Sequence, residues 1–355
     1  MIATFPHMGP LAVTMKTLLN GLGITVLMPP PINKKTIETG AKYAPETACL
    51  PLKVTLGNYI EALDAGADTI VTCGGVGPCR LGYYAQVQQD ILKELGYKFT
   101  MVTIEPNAFD VIKSIHHLAP SVSLTSIYRA FRLAGAKMSA LDILGDLLRQ
   151  VRATEQIQGT ADDVYQEAVA EVELAADPRE LQSICDIYQD KLVSVDLNGK
   201  KPLKIGLVGE IYVMLESFVN QDLEQRLGRL GVHVHRTMTL TDYVRTHLLR
   251  KKLYMAQYKE IAKAAAPYLS HGVGGHGLKS IGATVDLAKQ GFDGIIHVFP
   301  FTCMPELIAK NILHQVSGDQ GIPVLSLSFD EQSGEAGVVT RLEAFIDLLN
   351  YRRQL

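Results

Sequence analysis

Short, largely apolar runs alternate along the first part of the chain with longer segments whose apolar positions recur every three or four residues. The runs cover residues 2–5, 24–28, 69–72 and 98–103. Continuous apolar runs of this length are typical of strands buried on both faces of a parallel sheet. The periodic segments 8–22, 52–65 and 86–95 predict helices, and each is followed by a glycine. Strands that alternate with such helices indicate a doubly wound parallel sheet.

From about residue 125 the pattern changes to helical spacing alone. Glycine and proline become sparse, and apolar residues recur every three or four positions over 141–151, 164–175 and 181–193. The Asn-Gly-Lys-Lys-Pro stretch at 198–202 is typical of a turn or a linker. We therefore predict an N-terminal α/β domain over residues 1–124, followed by a helical segment and linker over residues 125–200.

The α/β pattern resumes after this linker. Strands are predicted at 203–208, 232–235, 294–299 and 323–328, and helices at 221–230, 241–269, 281–291 and 340–349. The sequence thus predicts a second doubly wound α/β domain over residues 201–355. The two halves are alike in architecture, but we find no residue-level repeat that relates them.

The composition argues against several classes of protein. Lys and Arg number 34 and Asp and Glu number 37 among 355 residues, which gives a net charge of −3. This balance provides no general attraction to nucleic acid or to an anionic membrane. No apolar run approaches the roughly 18 residues of a membrane helix, and the first ten residues lack the basic flank of a secretory signal. We therefore expect a cytoplasmic protein that binds neither nucleic acid nor membrane.

The five cysteines are too few, and odd in number, for a disulfide framework, so we expect reduced thiols. Cys185 lies inside a helical run and fits a buried core position. The other four lie in Gly- and Pro-rich loops at the ends of strands or the starts of helices, namely Cys49, Cys73, Cys79 and Cys303. Ligands bind at the carboxyl edge of an open α/β sheet. A metal centre and scattered core thiols explain this pattern equally well, and the spacing does not decide between zinc and an iron–sulfur cluster.

The loop after the strand at 69–72 has features of a cofactor-binding loop. Gly74, Gly75 and Gly77 permit close backbone approach, and successive amide N–H groups in such a loop form a nest that binds sulfide or thiolate. Arg80, which follows them, would offset the negative charge of a cluster. The alternative for this loop is an ordinary strand-to-helix turn with a surface arginine.

A second glycine-rich loop, HGVGGHGLKS at 271–280, contains a G-x-G-x-x-G pattern. A predicted helix precedes it, whereas a dinucleotide-binding fingerprint requires a strand there. His276 is a candidate proton donor in this loop, and a solvated loop histidine is the alternative. Glu306, which follows the strand at 294–299, is the second candidate catalytic residue, and a helix cap is its alternative.

Six motifs, taken together, resemble one protein family. They are ETACLPLK at 46–53, GPCRLGYY at 77–84, VGEIY at 208–212, PFTCMPE at 300–306, FDE at 329–331 and TRLE at 340–343. This combination is similar to the 2-hydroxyacyl-CoA dehydratase component family, in its acyl-CoA dehydratase activase-related branch, which is related to the double-cubane cluster proteins. The motifs extend over most of the chain.

The resemblance implies a fold, a cofactor and a partner. The fold would be two doubly wound, Rossmann-like parallel-sheet domains with a helical insert, and the cofactor a [4Fe–4S] cluster in the cleft between the domains. Its ligands would be Cys49, Cys79 and Cys303, with Cys73 as the candidate fourth. Because a double-cubane cluster needs about six thiolates, the five cysteines favour a single cluster. A separate ATP-dependent activase would donate a low-potential electron, because this chain contains no ATPase half.

Three functions stand as alternatives. The first is an iron–sulfur enzyme, either a lyase that removes water from a 2-hydroxyacyl-CoA through a ketyl radical or a reductase of another small molecule. The second is a non-catalytic electron relay or cluster-carrying subunit of a larger complex, with Cys73 as a fourth thiolate ligand. The third is a metal-free α/β protein whose glycine-rich loop binds an anion. We favour the first function, in a homodimer or in a heterodimer with a related subunit.

Overall fold

The computed structural model describes residues 1–75, 79–105, 108–248 and 252–354. The chain divides into two compact units. Unit 1 comprises Met1–Met138 and Leu240–Tyr254, and unit 2 comprises Ser139–Thr239 and Met255–Leu355. Each unit contains one parallel sheet with helices around it.

Unit 1 holds the first four strands, which are β1 (Ile2–Thr4), β2 (Thr25–Val26), β3 (Thr69–Cys73) and β4 (Thr100–Ile104). They pair in parallel in the order β2-β1-β3-β4. The helices between and after them are α1 (Leu11–Gly21), α2 (Lys34–Tyr43), α3 (Leu50–Asp64), α4 (Leu81–Glu94) and α5 (Ala108–Leu118). The long helix α6 (Leu124–Arg152) begins in unit 1 and ends in unit 2.

Helices cover both faces of the unit 1 sheet, as the apolar runs in the sequence predict. Neighbouring residues of β3 point to opposite faces, because side chains alternate along a strand. Ile70 packs with Tyr59 of α3 and Leu92 of α4. Val71 packs with Leu19 of α1 and with residues of α5. A strand buried on both faces carries no polar alternation, which explains its continuous apolar pattern.

Unit 2 begins with helices and then forms the second sheet. Its elements are α7 (Thr160–Leu174), α8 (Pro178–Val193), β5 (Leu203–Gly209), α9 (Ile211–Leu215), α10 (Leu223–Arg229) and β6 (Val232–Arg236). Next come α11 (Leu240–Tyr243) and a π-helical turn (Val244–Leu248), both in unit 1, and α12 (Lys252–Ala265). The chain then forms α13 (Gly277–Lys289), β7 (Gly294–Pro300), α14 (Met304–Gln320), β8 (Val324–Phe329) and α15 (Glu335–Gln354).

The two sheets have the same strand topology. The parallel order is β2-β1-β3-β4 in unit 1 and β6-β5-β7-β8 in unit 2. In each sheet the first strand lies between the second and the third, so the order reverses between β1 and β3 and again between β5 and β7. These are topological switch points, where open α/β sheets leave a crevice at the carboxyl ends of the strands. The predicted fold class, two doubly wound parallel sheets flanked by helices, is confirmed.

Some elements differ in detail from the sequence-based expectation. The strand predicted at 24–28 is shorter, since β2 contains Thr25–Val26 alone. The helix predicted at 241–269 is divided into α11, the π-helical turn and α12. Helix α2 was not anticipated, although Asn33 and Thr36 form a capping box at its start. In the described part of the chain, no helix has both the length and the apolar character needed to cross a membrane.

Buried charges attach the end of α6 to the rest of unit 2. The Arg149 guanidinium Nη1 lies 3.5 Å from the Glu224 Oε2 atom of α10. Arg236, at the end of β6, approaches the other oxygen of Glu224, with 3.5 Å between its Nη1 and Oε1. Arg152 pairs with Asp162 of α7. Removing one partner from such a network leaves an uncompensated buried charge, so the network specifies where the helical segment packs.

Gly209, the last residue of β5, allows this strand to lie against β7. Its φ is +139°, and a Cβ atom there would lie 1.8 Å from the Val298 carbonyl oxygen. The next residue, Glu210, donates its backbone N–H to that same oxygen at 2.9 Å. The backbone at the switch point therefore has no room for a side chain.

We expect Gly209→Ala to destabilise unit 2 far more than Gly291→Ala. Both glycines have positive φ, but a Cβ at Gly291 meets no atom within 4 Å. The control therefore costs about 1 kcal/mol for conformation alone, whereas Gly209→Ala costs roughly 2 kcal/mol more because the clash separates two strands. Thermal unfolding of both variants measures the difference, and equal losses would contradict the assigned close approach.

Candidate functional site

The carboxyl edge of the unit 2 sheet carries two residues that the sequence singled out, Cys303 and Glu306, which lie just beyond the end of β7. Glu210, which belongs to the VGEIY motif, follows β5 directly. Thr302, between β7 and α14, has a φ of +67°, a conformation that is uncommon outside glycine. The switch point of unit 2 therefore brings two carboxylates and a thiol to neighbouring strand ends.

Glu210 is the N-cap of α9, and its carboxylate accepts the backbone N–H groups of Tyr212 and Val213, each at 3.0 Å. Although part of the residue is exposed, its carboxyl group is removed from water. This burial raises the pKa of Glu210 to about 7, against the lowering effect of the two amide hydrogen bonds. The charge of Glu306 raises it further. A carboxyl with such a pKa exchanges its proton near neutral pH.

Glu306 lies in the first turn of α14 and is fully buried. Its Oε2 atom accepts the Ser280 hydroxyl at 2.9 Å and lies 2.8 Å from His297 Nε2. Its Oε1 atom is buried and has no hydrogen-bond partner among the described residues. His297, also fully buried, stacks on Phe299 with 4.7 Å between ring centroids. Buried polar atoms are nearly always paired, and Glu306 Oε1 is one of the few buried side-chain atoms of the described residues that are not.

The loop that carries His276 packs against the loop that carries Cys303. Cβ atoms built at Gly275 and Gly277 would lie 3.0 Å from Pro305 Cγ and 2.4 Å from the Pro305 carbonyl oxygen, respectively. His276 itself is the N-cap of α13. The two motifs that supplied the candidate catalytic residues are therefore adjacent in the fold.

Cys303 begins α14 as its N-cap, with a proline in the first turn, and the residue is 8 % exposed. Its backbone N–H donates to the Pro300 carbonyl at 3.0 Å. The unpaired N–H groups and the dipole at a helix N-terminus favour the thiolate form of a cysteine. The position therefore suits a thiolate ligand or nucleophile.

Unit 1 places two cysteine loops side by side at helix starts. Cys49 is the N-cap of α3, again with a proline in the first turn, and its Sγ hydrogen-bonds to the Tyr84 hydroxyl of α4. Cys79 is half-buried and precedes Arg80, the N-cap of α4. Arg80 donates from Nη1 to the Thr47 carbonyl at 2.7 Å, which joins the two loops.

Cys73 has a different environment. It is the last residue of β3 and is exposed as a residue, yet burial of its thiol and the nearby Glu105 carboxylate both raise its pKa. Glu105 follows β4 and lies directly over Gly74, where a Cβ atom would lie 2.0 Å from Glu105 Oε1. The structure thus explains Gly74 by the approach of a carboxylate. Gly75 lies close to Gly82 of α4, and Gly77 lies outside the described residues.

The common topology makes these positions equivalent between the units. Cys49 is the N-cap of α3, which leads into β3, and His276 is the N-cap of α13, which leads into β7. Cys79 lies before α4, which follows β3, and Cys303 starts α14, which follows β7. Each unit therefore has two candidate site residues at the starts of two successive helices.

The thiols differ in how well they fit a metal centre. Cys49, Cys79 and Cys303 have suitable donor chemistry, because each is at or next to a helix N-terminus. However, across residues 1–75, 79–105, 108–248 and 252–354, no group of three or more His, Cys, Asp or Glu side chains is arranged to hold a metal ion. Cys185 is buried in α8, as expected of a core residue.

Sequence reasoning did not find every residue of the unit 2 site. His297 and Ser280 were missed because each is a single polar residue within an otherwise ordinary strand or helix. Glu105 was missed because nothing marks a carboxylate after β4 until the fold brings it over Gly74. The sequence feature that could have indicated His297 is an ionisable side chain inside a strand that is buried along its whole length.

Part of the chain is similar to a known protein family. The family described as CoA enzyme activase uncharacterised domain (DUF2229) matches residues 7–72. No curated protein matches the chain. The matched segment runs from the loop after β1 into β3 and contains Cys49, but it ends before Cys73 and Cys79. The similarity thus lies with the activase-related family and concerns part of unit 1.

We expect the contribution of Glu210 to stability to fall as the pH rises toward neutrality. Its pKa in the folded protein is about 7, above its ordinary value of 4.5. Between these values the folded state holds more protons than the unfolded state, so this stabilisation is complete below pH about 4.5 and is lost as the pH rises through about 7.

The measurement compares wild type with Glu210→Gln, which has no titrating group there. The wild-type melting temperature, minus that of the variant, should decrease from pH about 5 to pH about 8. Glu343→Gln, at an exposed position of the same unit, controls for the substitution. A wild-type advantage that grows with pH would contradict the raised pKa.

Proposed function

We propose that this protein is an iron–sulfur enzyme of the 2-hydroxyacyl-CoA dehydratase type. The observation that carries the proposal is the match of residues 7–72 to a CoA enzyme activase domain, with Cys49 inside the matched segment at the start of α3. That match supports a role in CoA enzyme chemistry. The finer proposal is a lyase that acts on an acyl-CoA. It rests on the match together with the thiols and carboxylates at the strand ends.

The proposed cofactor is a [4Fe–4S] cluster with Cys49, Cys79 and Cys303 as thiolate ligands. Such a cluster supplies one-electron transfer to or from a bound substrate. The helix N-termini at these residues stabilise thiolates. The Tyr84 hydroxyl, which contacts Cys49 Sγ, would donate a hydrogen bond to the ligand sulfur and thereby raise the reduction potential.

The proposed substrate contacts lie in unit 2, at the edge where Cys303 lies. Glu306 and His276, at the starts of α14 and α13, are the proposed proton-handling groups. Phe301 and Met304 flank Cys303 and are 55 % and 43 % exposed. Large exposed apolar side chains beside polar groups are typical of a binding surface. They would contact the acyl chain of a thioester.

The proposed electron donor is an ATP-dependent activase. Reduction of a thioester requires a low-potential electron, and the proposed role needs a partner that couples ATP hydrolysis to its delivery. The activase-related similarity of residues 7–72 supports an association with this enzyme system. A homodimer, or a heterodimer with a related subunit, stays a prediction for the assembly.

The electron relay is the second candidate function. It is favoured by one observation, a further thiol at the carboxyl end of β3, Cys73, in the same unit as Cys49 and Cys79. A cluster closed by four protein thiolates leaves no iron for substrate. Cys73 therefore distinguishes the two functions.

Anaerobic reconstitution with iron and sulfide tests the cofactor. We expect roughly four irons and four sulfides per chain, with broad visible absorption. Cys49→Ser, Cys79→Ser and Cys303→Ser should each lower the iron content severalfold, because serine is a poor ligand for this soft site. Cys185→Ser, in the core of α8, is the matched control and should keep full iron content. Colourless protein that retains zinc would contradict the assignment.

Cys73→Ser separates the enzyme from the relay. An enzyme with three cysteine ligands predicts a variant with the iron content and electron paramagnetic resonance spectrum of wild type. A relay predicts a changed spectrum, since a ligand is lost. The spectrum of the reduced, reconstituted protein provides this measurement.

A further inference from the structure

A chain of polar side chains, buried except for the half-buried Ser326, crosses unit 2 below the carboxyl edge of its sheet. It runs from Ser326 of β8 to His297 of β7, then to Glu306 of α14 and Ser280 of α13. His297 Nδ1 lies 3.3 Å from Ser326 Oγ, and His297 Nε2 lies 2.8 Å from Glu306 Oε2. Ser280 donates to that same Oε2 atom at 2.9 Å. Four different elements thus contribute to one network.

The network is not explained by the needs of the fold. Glu306 is three residues after the N-cap Cys303, where a glutamate commonly accepts the backbone N–H of the N-cap. Here that N–H donates to the Pro300 carbonyl instead, and the Glu306 carboxylate is directed to Ser280 and His297. The helix-cap interpretation of Glu306 therefore fails, and another reason is needed for a fully buried carboxylate.

The two carboxylate oxygens of Glu306 differ in their hydrogen-bond partners. Oε2 has two hydrogen-bond partners, while Oε1 is buried with none among the described residues. A fully buried carboxylate is costly unless all its lone pairs are satisfied. The second oxygen, Oε1, therefore keeps its capacity to accept a hydrogen bond from a further group.

We propose that His297 and Ser280 are positioning residues that hold Glu306 Oε2, so that Oε1 is presented to the hydroxyl group of a bound ligand. The choice of ligand, a 2-hydroxyacyl thioester, rests on the proposed function. The Ser280–Glu306–His297 network itself does not, since it is defined by the contacts within unit 2. Glu306 touches the ligand, and His297 and Ser280 act through Glu306.

The network is tested first without any ligand or cluster. In protein labelled with ¹⁵N-histidine, the His297 ring signals are assigned by their absence in His297→Gln. We expect Glu306→Gln to shift the His297 Nε2 signal, because the partner of that nitrogen loses its charge. The signal of His314, an exposed residue on the same helix as Glu306, serves as the control and should not move. An unshifted His297 signal would refute the network, whatever the substrate.

Ligand presentation is tested by binding two CoA thioesters that differ only by the hydroxyl. Calorimetry with 2-hydroxybutanoyl-CoA and butanoyl-CoA should show at least about ten-fold tighter binding of the hydroxy form to wild type, as expected for a hydrogen bond to a charged group. His297→Leu fills a similar volume without an N–H donor and should reduce this preference to about two-fold. His297→Gln restores an N–H donor and should recover most of the preference.

A merely structural role gives the opposite order. Beside Phe299, an apolar leucine packs at least as well as glutamine, so packing alone predicts that His297→Leu is the better variant. His314→Leu is the matched control and should keep the wild-type preference. Should His297→Leu fail to fold, Ser280→Ala removes the other donor to Oε2 and should lower the preference about three-fold.

The outcomes separate the two proposals. A hydroxyl preference that is equal in wild type, His297→Leu and Ser280→Ala overturns the positioning role, even if both thioesters bind. If neither thioester binds while the His297 signal responds to Glu306→Gln, the proposed substrate is wrong and presentation of Oε1 to it is overturned, but the network stands. A lost preference in His297→Leu that His297→Gln restores supports the inference.

Discussion

The order of four parallel strands is the constraint on which both candidate sites depend. In each unit the first strand is central, and the chain crosses to one side for the second strand and to the other side for the third. Because parallel crossovers are right-handed, the helices after the two central strands leave on opposite faces. Open α/β sheets bind ligands where such helices diverge. In unit 2 this point lies beside Gly209, whose missing side chain lets β5 and β7 approach.

The same topology carries different chemistry in the two units. Helices α3 and α4 of unit 1 start at or next to thiols, with Cys49 hydrogen-bonded to Tyr84 and its loop held by Arg80. Helices α13 and α14 of unit 2 start at an imidazole and a thiol, with the Glu306 carboxylate in the first turn of α14. The helix starts of unit 1 thus carry more thiols, and those of unit 2 carry an imidazole and a carboxylate. This division is consistent with the proposed enzyme, which would combine a redox centre with proton chemistry.

Buried carboxylates are the costliest part of this arrangement. Glu210 tolerates burial because two backbone N–H groups bind it and because it takes up a proton near neutral pH. Glu306 is held by a serine and a histidine, yet one of its oxygens is bare. Glu210 and Glu306 interact electrostatically at one strand edge, and the charge of Glu306 raises the pKa of Glu210. Burial of carboxyl groups at the expense of stability is characteristic of functional positions.

Most of the architecture could be predicted from the sequence. Continuous apolar runs such as the one at residues 69–72 identify doubly buried strands, and the glycines after periodic segments mark helix ends. The local pattern is sufficient to predict these strands, because burial on both faces requires an apolar residue at nearly every position of each strand. The limits of β2 were not predicted, since they depend on contacts with neighbouring elements. Helix α2 was not predicted either, because the sign of its start is a two-residue cap.

The sequence by itself also determined which loops carry the candidate site residues, because cysteines and glycines at strand ends follow from order along the chain. Only the tertiary structure decided what each residue contacts. It joined the His276 loop to the Cys303 loop through Pro305, placed Glu105 over Gly74, and connected Glu306 to His297. These contacts link residues that are far apart in sequence or on different elements, and no local pattern records them. The distances between these groups and their burial, rather than their spacing along the sequence, decide their charge and their hydrogen-bond partners.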